Sequence, residues 1–285
     1  MTKQCLLIGG DKRHRFLAEY LLKDGFKVYC YGLERCLDLP KEAITVDTLP
    51  AVPVTILPIP LTKDRQTIYA PYSRAPLSVE WVIDKLTPET TLFGGMMSSR
   101  VQELFNQRGI PFYDYGLDEA FNRLNAIPSA EGAIEIAMHN TPFTLQGAKV
   151  CVVGFGRIGK ALVERLVALG CEVTATARRA EQLDEIARLG ALPLFTDDLI
   201  RSDGFNILFN TVPAPVVHAG VLARLSPTTL VIDLASKPGG VDFDFAAQAG
   251  IRCIHALSLP ALCAPKTAAQ YVYLTLYKHW NGEVN

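Results

Sequence analysis

No stretch of this 285-residue chain is apolar for long enough to cross a bilayer, which takes about 20 such residues in a helix. An excess of one charge is missing as well. Lysine and arginine number 28 against 29 aspartates and glutamates, a net charge of −1, so there is no electrostatic case for nucleic acid or an anionic membrane as partner. Metal-ligand spacing is absent. The seven cysteines (Cys5, Cys30, Cys36, Cys151, Cys171, Cys253, Cys263) are scattered, with no paired C-x-x-C, and read as free buried thiols of a reducing cytoplasm. The five histidines (His14, His139, His218, His255, His279) are equally dispersed. No Cys/His or Ser/His/Asp set stands out, and no signal-peptide pattern precedes the first predicted strand. A cytoplasmic location is expected.

What is present is the composition of an ordinary globular protein, 49% hydrophobic and 20% charged, with enough chain for two domains. The most telling stretch is Gly154-Phe155-Gly156-Arg157-Ile158-Gly159. The apolar run Lys149–Val153 before it reads as a buried parallel strand, and Lys160–Leu169 after it as a helix stopped by Gly170. In that setting three spaced glycines mark a dinucleotide site. The first makes the tight turn, the second lets the backbone approach a pyrophosphate, and the third packs helix on strand. The free N–H groups of the helix start favour phosphate. Gly154, Gly156, Arg157, Ile158 and Gly159 are therefore the predicted phosphate-facing residues.

The next predicted strand, Glu172–Ala177, ends in Arg178-Arg179. About 20 residues past the glycines an NAD site carries Asp or Glu for the ribose 2′-hydroxyl. Here no carboxylate repels a 2′-phosphate and two guanidinium groups are available to bind it. NADP is expected over NAD, the alternative being that these arginines simply start the solvated helix Arg179–Leu189.

The first 125 residues repeat a strand–helix theme and predict a small doubly wound α/β domain. Strands are expected near Cys5–Ile8, Lys27–Tyr31, Val54–Leu57, Thr91–Phe93 and Ile110–Tyr113, with helices after Asp11, over Leu77–Leu86 and over Ser99–Arg108. Gly9-Gly10-Asp11 imitates a nucleotide loop but lacks the third glycine, so no second dinucleotide is expected there. That helix start, with Arg13, remains able to hold a substrate carboxylate. Thr62–Ser73 is polar and is either a mobile flap or a plain surface connection. A helix capped by Ser129 is predicted to lead into a Rossmann domain over 126–264. An amphipathic helix over Pro265–Trp280 is predicted to return to the first domain, which then comprises 1–125 and 265–285.

Three further sites are candidates. Asn210-Thr211-Val212-Pro213 follows a predicted strand, where ligands bind in open α/β sheets; it either faces the nicotinamide end of a dinucleotide or is a plain turn. Asp233-Leu234-Ala235-Ser236-Lys237-Pro238-Gly239-Gly240 ends the next strand and offers Ser236 and Lys237. Lys266 stands at the start of the last helix, against the macrodipole preference, as a residue with an anionic partner would; an exposed lysine is the alternative.

Taken in order, Gly9-Gly10-Asp11, Leu57-Pro58-Ile59, Pro128-Ser129-Ala130-Glu131-Gly132-Ala133, the glycine loop, the string from Asp233 to Gly240 and Ala264-Pro265-Lys266-Thr267-Ala268 resemble the family of dipicolinate synthase A subunits. The resemblance covers nearly the whole chain. It departs from that pattern at Leu57–Thr62, which lacks a glycine, and at Ile127, where a tyrosine is common. The resemblance implies an oxidoreductase that converts a dihydrodipicolinate-level intermediate, a branch of the lysine pathway, to pyridine-2,6-dicarboxylate with NADP. It further implies sporulation, a mother-cell cytoplasmic location, a partner B subunit in a heteromer, and a dicarboxylate substrate. Arg13, Ser129, Lys237 and Lys266 are then the candidate carboxylate contacts, with Lys266 and Glu131 as candidate catalytic groups. A dehydrogenase of a 2-hydroxy or 2-amino acid, a homo-oligomer and an NADP-binding regulatory subunit are the alternatives left open.

Overall fold

Short apolar strands closed by glycine turns alternate with helices, and a computed structural model, which describes residues 3–280, gathers them into two parallel α/β units. One unit is Met1–Asn125 with Ala264–Asn285, the other Ala126–Cys263. Met1, Thr2 and 281–285, assigned above to the ends of the first domain, lie outside the described residues.

The first unit runs β1 (Gln4–Ile8), α1 (Lys12–Lys23), β2 (Lys27–Tyr31), β3 (Ile44–Thr45), β4 (Val54–Ile56), β5 (Thr67–Ile68), β6 (Leu77–Ser78), α2 (Val79–Lys85), β7 (Thr91–Gly94), α3 (Ser99–Gln107) and β8 (Phe112–Asp114). Its main sheet is parallel, in the order β3-β2-β1-β4-β7-β8. Cys5, Leu6, Leu7 and Ile8 of β1 are all fully buried, as a central strand covered on both faces requires. Asp11 caps α1 by accepting from the N–H of Arg13 at 3.1 Å, and Gly25 (φ +81°) takes the left-handed turn beyond its end.

The helix α4 (Glu119–Asn140) carries the chain into the second unit, which continues β9 (Lys149–Val153), α5 (Arg157–Ala168), β10 (Glu172–Ala177), α6 (Ala180–Arg188), β11 (Leu192–Phe195), β12 (Ile207–Asn210), α7 (Ala219–Leu222), β13 (Leu230–Asp233), α8 (Phe243–Gln248), β14 (Arg252–His255) and α9 (Leu259–Cys263). All six strands are parallel, ordered β11-β10-β9-β12-β13-β14. Strand order reverses between β9 and β12, and the crevice at the carboxyl ends of such a pair is where ligands bind. The last helix, α10 (Pro265–Trp280), belongs to the first unit. Ala269, Val272 and Leu276 share a core with Leu17, Ala18 and Leu21 of α1, and Tyr273 stacks on Tyr20 at 5.6 Å.

Three expectations need correction. Ser129 does not cap a helix; it sits inside α4, ten residues past its start. The cap is Asp118, whose carboxylate accepts from the N–H of Phe121 at 2.7 Å. Pro128 misled because proline usually marks a boundary; here it stands within the helix, and its carbonyl accepts from the Cys263 thiol at 3.0 Å. The helix predicted from Leu77 begins at Val79, capped by Ser78. Leu77–Ser78 instead forms β6, paired antiparallel with β5, so Thr62–Ser73 is held by a small second sheet rather than forming a plain loop.

Candidate functional site

The glycine loop lies at the carboxyl end of β9, beside the β9–β12 switch point. Gly154 has φ +92°, and a methyl there would come within 2.5 Å of Val212 Cγ2 and 2.8 Å of Thr211 Oγ1. Gly159 is required by packing, because its methyl would lie 2.1 Å from the carbonyl oxygen of Gly154. Gly156 differs from both. Its φ of −84° suits any residue, and a methyl would meet nothing within 4 Å. Packing within the protein does not demand glycine at 156, and the open space there leaves room for a ligand to approach the backbone. Gly156 caps α5 with no side-chain bond to the first turn and no acidic residue in it, and the N–H groups of a helix's first turn have no partner within the helix and favour an anion. This donor set and shape fit a dinucleotide.

Neighbouring side chains hold the loop in that form. The hydroxyl of Thr176 accepts from the N–H of Gly154 at 3.1 Å and from the Thr196 hydroxyl at 3.3 Å. Gln182 donates to the Phe155 carbonyl at 3.1 Å. Arg157 is exposed and Ile158 half-buried at the head of α5. At the end of β10, Arg178 and Arg179 are both exposed, and among the described residues neither guanidinium makes an ion pair or hydrogen bond.

The Asn210–Pro213 turn has a different task from the one its position invites. Asn210 is fully buried. Its amide donates to Asp233 at 2.8 Å and to the Val212 carbonyl at 3.0 Å, and its oxygen accepts from the Val212 N–H at 3.2 Å. The Thr211 hydroxyl donates to the Val153 carbonyl at 3.0 Å. Both polar groups are thus spent on shaping the turn against the glycine loop, with Val212 packed on Gly154 and Pro213 exposed.

Asp233 is the residue that sequence reasoning missed. Fully buried, it accepts from Asn210, from the N–H of Ala235 at 3.0 Å and from the N–H of Gly240 at 2.9 Å. It thereby folds Ser236–Gly240 into a tight turn in which a methyl on Gly240 would lie 2.2 Å from the Val212 carbonyl. Ser236 and Lys237 project from that turn, exposed. A buried aspartate at a strand end followed by two glycines is the signal that would have revealed it.

Two candidate residues are engaged elsewhere. Glu131, proposed as a catalytic group, is exposed on α4 and pairs with Arg165 at 3.3 Å. Arg165 lies nine residues past Gly156 on α5, about 13 Å along the helix at its 1.5 Å rise, so Glu131 is turned away from the glycine loop. It lines a surface groove with Met138, His139 and Leu169. Arg13, proposed as a carboxylate contact, is 7% exposed. Its Nε and Nη2 bond both oxygens of Asp11, at 2.9 and 2.8 Å, and Nη2 also donates to the Ile59 carbonyl. Its charge is already matched inside the protein. Burial would raise the Asp11 carboxyl, but the hydrogen bonds and charge of Arg13 outweigh it and hold that carboxyl below its ordinary value. Ser129 is buried within α4. Lys266 is exposed in the first turn of α10, with no ion pair among the described residues. His218 caps α7 through its ring, accepting from the Gly220 N–H at 3.1 Å.

An open parallel sheet with this loop at its switch point is a nicotinamide-dinucleotide-binding unit of the dehydrogenase type. Residues 129–235 match the NAD binding domain of the D-isomer specific 2-hydroxyacid dehydrogenases, and residues 4–116 match the N-terminal domain of the dipicolinate synthase A subunit. The chain is similar over its whole length to the crystal structure of the dipicolinate synthase A subunit from Bacillus halodurans: 31% identity, TM-score 0.89, covering 98% of this chain and 97% of that one. It is 29% identical to the dipicolinate synthase A subunit of Bacillus subtilis (strain 168), over 95% of this chain and 94% of the relative. A transhydrogenase from Sinorhizobium meliloti, at 15% identity and TM-score 0.70, covering 98% of this chain and 94% of that one, shares the fold. The chain belongs to the family of dipicolinate synthase A subunits.

Proposed function

We propose that the chain oxidises a dihydropyridine-2,6-dicarboxylate to pyridine-2,6-dicarboxylate with NADP. The observation that carries this reading is the pair of exposed guanidinium groups of Arg178 and Arg179 at the end of β10, without an ion pair or hydrogen bond among the described residues, in a chain of this family. Arginine matches a phosphate with paired donors, and no carboxylate stands at the end of β10 to favour a free 2′-hydroxyl.

When bound, the nicotinamide supplies the acceptor for a hydride. The chain's own contribution is orientation. Thr176, Thr211 and Val212 fix the phosphate-facing loop, and Asp233 fixes the turn that presents Lys237. Lys237, exposed on the turn that Asp233 shapes, is the cation retained as a carboxylate contact on the dinucleotide-binding unit. A hydride leaves a ring carbon and a proton leaves the pyridinium that results, so the ring becomes aromatic. Aromatisation drives the step, and the pyridinium proton is acidic enough for water to accept it. The site therefore requires no strongly activated base, consistent with the outward placement of Glu131.

The same reading implies a partner B subunit, a mother-cell cytoplasmic location and a role in sporulation. Purified chain is mixed with freshly generated dihydrodipicolinate and either NADP or NAD, and the ultraviolet absorbance of the aromatic product is followed. Turnover by the chain alone with preference for NADP is expected. Strong preference for NAD removes the cofactor half of the reading. Turnover only once the partner B chain is present makes this chain part of a shared site.

A further inference from the structure

The segment after β4 carries cations that the reaction above does not use. In Lys63-Asp64-Arg65 the aspartate would ordinarily neutralise a neighbour. Instead its carboxylate accepts from the hydroxyls of Thr67 and Thr62, at 2.6 and 3.1 Å, and from the N–H groups of Thr67 and Gln66, at 2.7 and 2.8 Å. The Thr67 bonds, then that of Gln66, hold the acid well below the usual carboxylate range. Asp64 is thereby spent on knotting the loop. Lys63 is left without a counterion among the described residues, and its Nζ lies over the Tyr69 ring, 3.7 Å from the centre.

Beside this knot is a pocket of about 350 Å³ lined by Lys63, Thr67, Tyr69, Ser73 and Arg74, with Pro71 and Pro76 among its walls. No acidic side chain lines it. Glu34 comes near, but its carboxylate accepts from the main-chain N–H groups of Gly32 at 2.6 Å and Arg74 at 3.2 Å. The Arg74 guanidinium itself is exposed and makes no ion pair among the described residues. Lys63 and Arg74 both line this cavity, and among the described residues neither has an acidic partner. Arginine offers a fork suited to a carboxylate, lysine a compact charge, and the walls formed by Pro71 and Pro76 suit a flat ring. The volume is at the lower end of the ~300–1,000 Å³ of small-molecule sites.

We propose that this pocket binds a small planar dicarboxylate, with Lys63 and Arg74 as its carboxylate contacts. The choice of ligand rests on the reaction proposed above. The pocket supplies cations that Arg13, matched by Asp11, does not.

The test is calorimetric titration of pyridine-2,6-dicarboxylate into the full chain, wild type and the variants Lys63→Gln, Arg74→Gln and Lys41→Gln, with turnover and NADP affinity measured on each. Lys41, exposed elsewhere on the same unit, is the control for lost charge. Each pocket variant is expected to weaken dicarboxylate binding at least about tenfold, as loss of a charge-assisted bond does, with NADP affinity and the Lys41→Gln control unchanged. Binding within twofold of wild type in both pocket variants overturns the proposal. If the wild type then still turns over, the pocket assignment alone has failed. If the wild type does not turn over, yet binds the dicarboxylate and loses it in the variants, the pocket stands and the reaction falls. A wild type that neither binds nor turns over removes both.

Discussion

Both sheets order their strands in the same sense, and each places a glycine turn between its central strand and the helix that follows. One turn is filled by the protein and the other is open. At Gly9-Gly10, the N–H of Gly10 donates to the Tyr69 carbonyl at 2.8 Å, and a methyl on Gly9 would meet Ala70 Cβ at 2.9 Å. The head of α1 is closed by Asp11, whose carboxylate is in turn matched by Arg13. Even Glu34, placed past β2 where a ribose-binding acid would stand, is spent on main-chain N–H groups. At Gly154–Gly159 the N–H of Gly154 is held by Thr176, but Gly156 faces open space, and among the described residues the side chains of Arg178 and Arg179 past the second strand make no hydrogen bond or ion pair. The shared topology provides two switch points, and side-chain pairing decides which of them remains available to a ligand.

The largest test of that contrast is the closed end. Removing Arg13 leaves Asp11 buried without its cation, and Arg13→Ala is expected to cost about 3–5 kcal/mol of unfolding free energy. Replacing both groups, Asp11→Ser with Arg13→Met, keeps a capping hydroxyl and apolar volume and should recover most of that loss, measured by denaturant titration. If the double variant folds but loses substrate affinity while NADP binding holds, Arg13 serves the ligand after all, and the first turn is less closed than its hydrogen bonds indicate.

His14 gives a second measure of the same closure. It is 3% exposed, and among the described residues neither ring nitrogen makes a well-formed hydrogen bond, the main chain at Leu57 being a weak partner. Burial pushes its pKa down from 6.5 to about 4; Asp11 opposes, the charge of Arg13 acts with burial, and the Leu57 main chain opposes weakly. A pKa depressed in the folded state means the unfolded chain binds more protons across that interval. The stability is therefore complete above about pH 6.5 and is lost as pH falls toward 4, by about 3 kcal/mol in all. His14→Gln should flatten the pH dependence in that window. A wild-type unfolding free energy that is level from pH 6.5 to 4 would show the ring to be solvated.

The closed turn was hidden from the sequence for a physical reason. Period and glycine spacing expose backbone geometry, and from them the parallel sheets, the glycine loop and the returning helix α10 were legible. Pairing among side chains close in sequence is not legible that way. Nothing in Gly-Gly-Asp-Lys-Arg indicates that Arg13 folds back on Asp11 rather than out to a substrate, or that Tyr69, some sixty residues on, plugs the glycines. Strands of two residues such as β5 and β6 leave no periodic trace, so the segment that does the plugging read as a loop. Pro128 concealed the start of α4 in the same manner, and with it the register that turns Glu131 toward Arg165. At the open turn the reverse holds. Its function lies in backbone shape and in what is absent from it, and three glycines record both.

The open loop is tested by a change that folding should not register. Gly156→Ala places a methyl where the structure has nothing within 4 Å, at a φ that alanine accepts. Stability should move by no more than about 1 kcal/mol, since alanine restricts the unfolded chain but caps a helix less well than glycine. NADP affinity should fall by about a hundredfold, or ~2.7 kcal/mol, because the methyl occupies the approach to the pyrophosphate. Gly10→Ala is the counterpart. Its methyl would lie 2.0 Å from the His14 ring at φ +96°, so it should lower stability. Equal effects of the two changes on both readouts would erase the distinction between the turns.

The smallest effect concerns the arginines past β10. Arg178→Ala with Arg179→Ala removes two exposed side chains that make no hydrogen bond or ion pair among the described residues, so the melting temperature should not move. If they hold a 2′-phosphate, the KM for NADP rises about tenfold, the worth of a charge-assisted bond or two in a solvated site, while that for NAD stays put. The penalty for NADP should shrink as salt is added, because exposed charges are screened over about 10 Å at 0.1 M. A matched loss for both cofactors would assign the arginines to the shared pyrophosphate. No loss for either would make them a solvated helix start, and the open turn would then take its nucleotide by backbone alone.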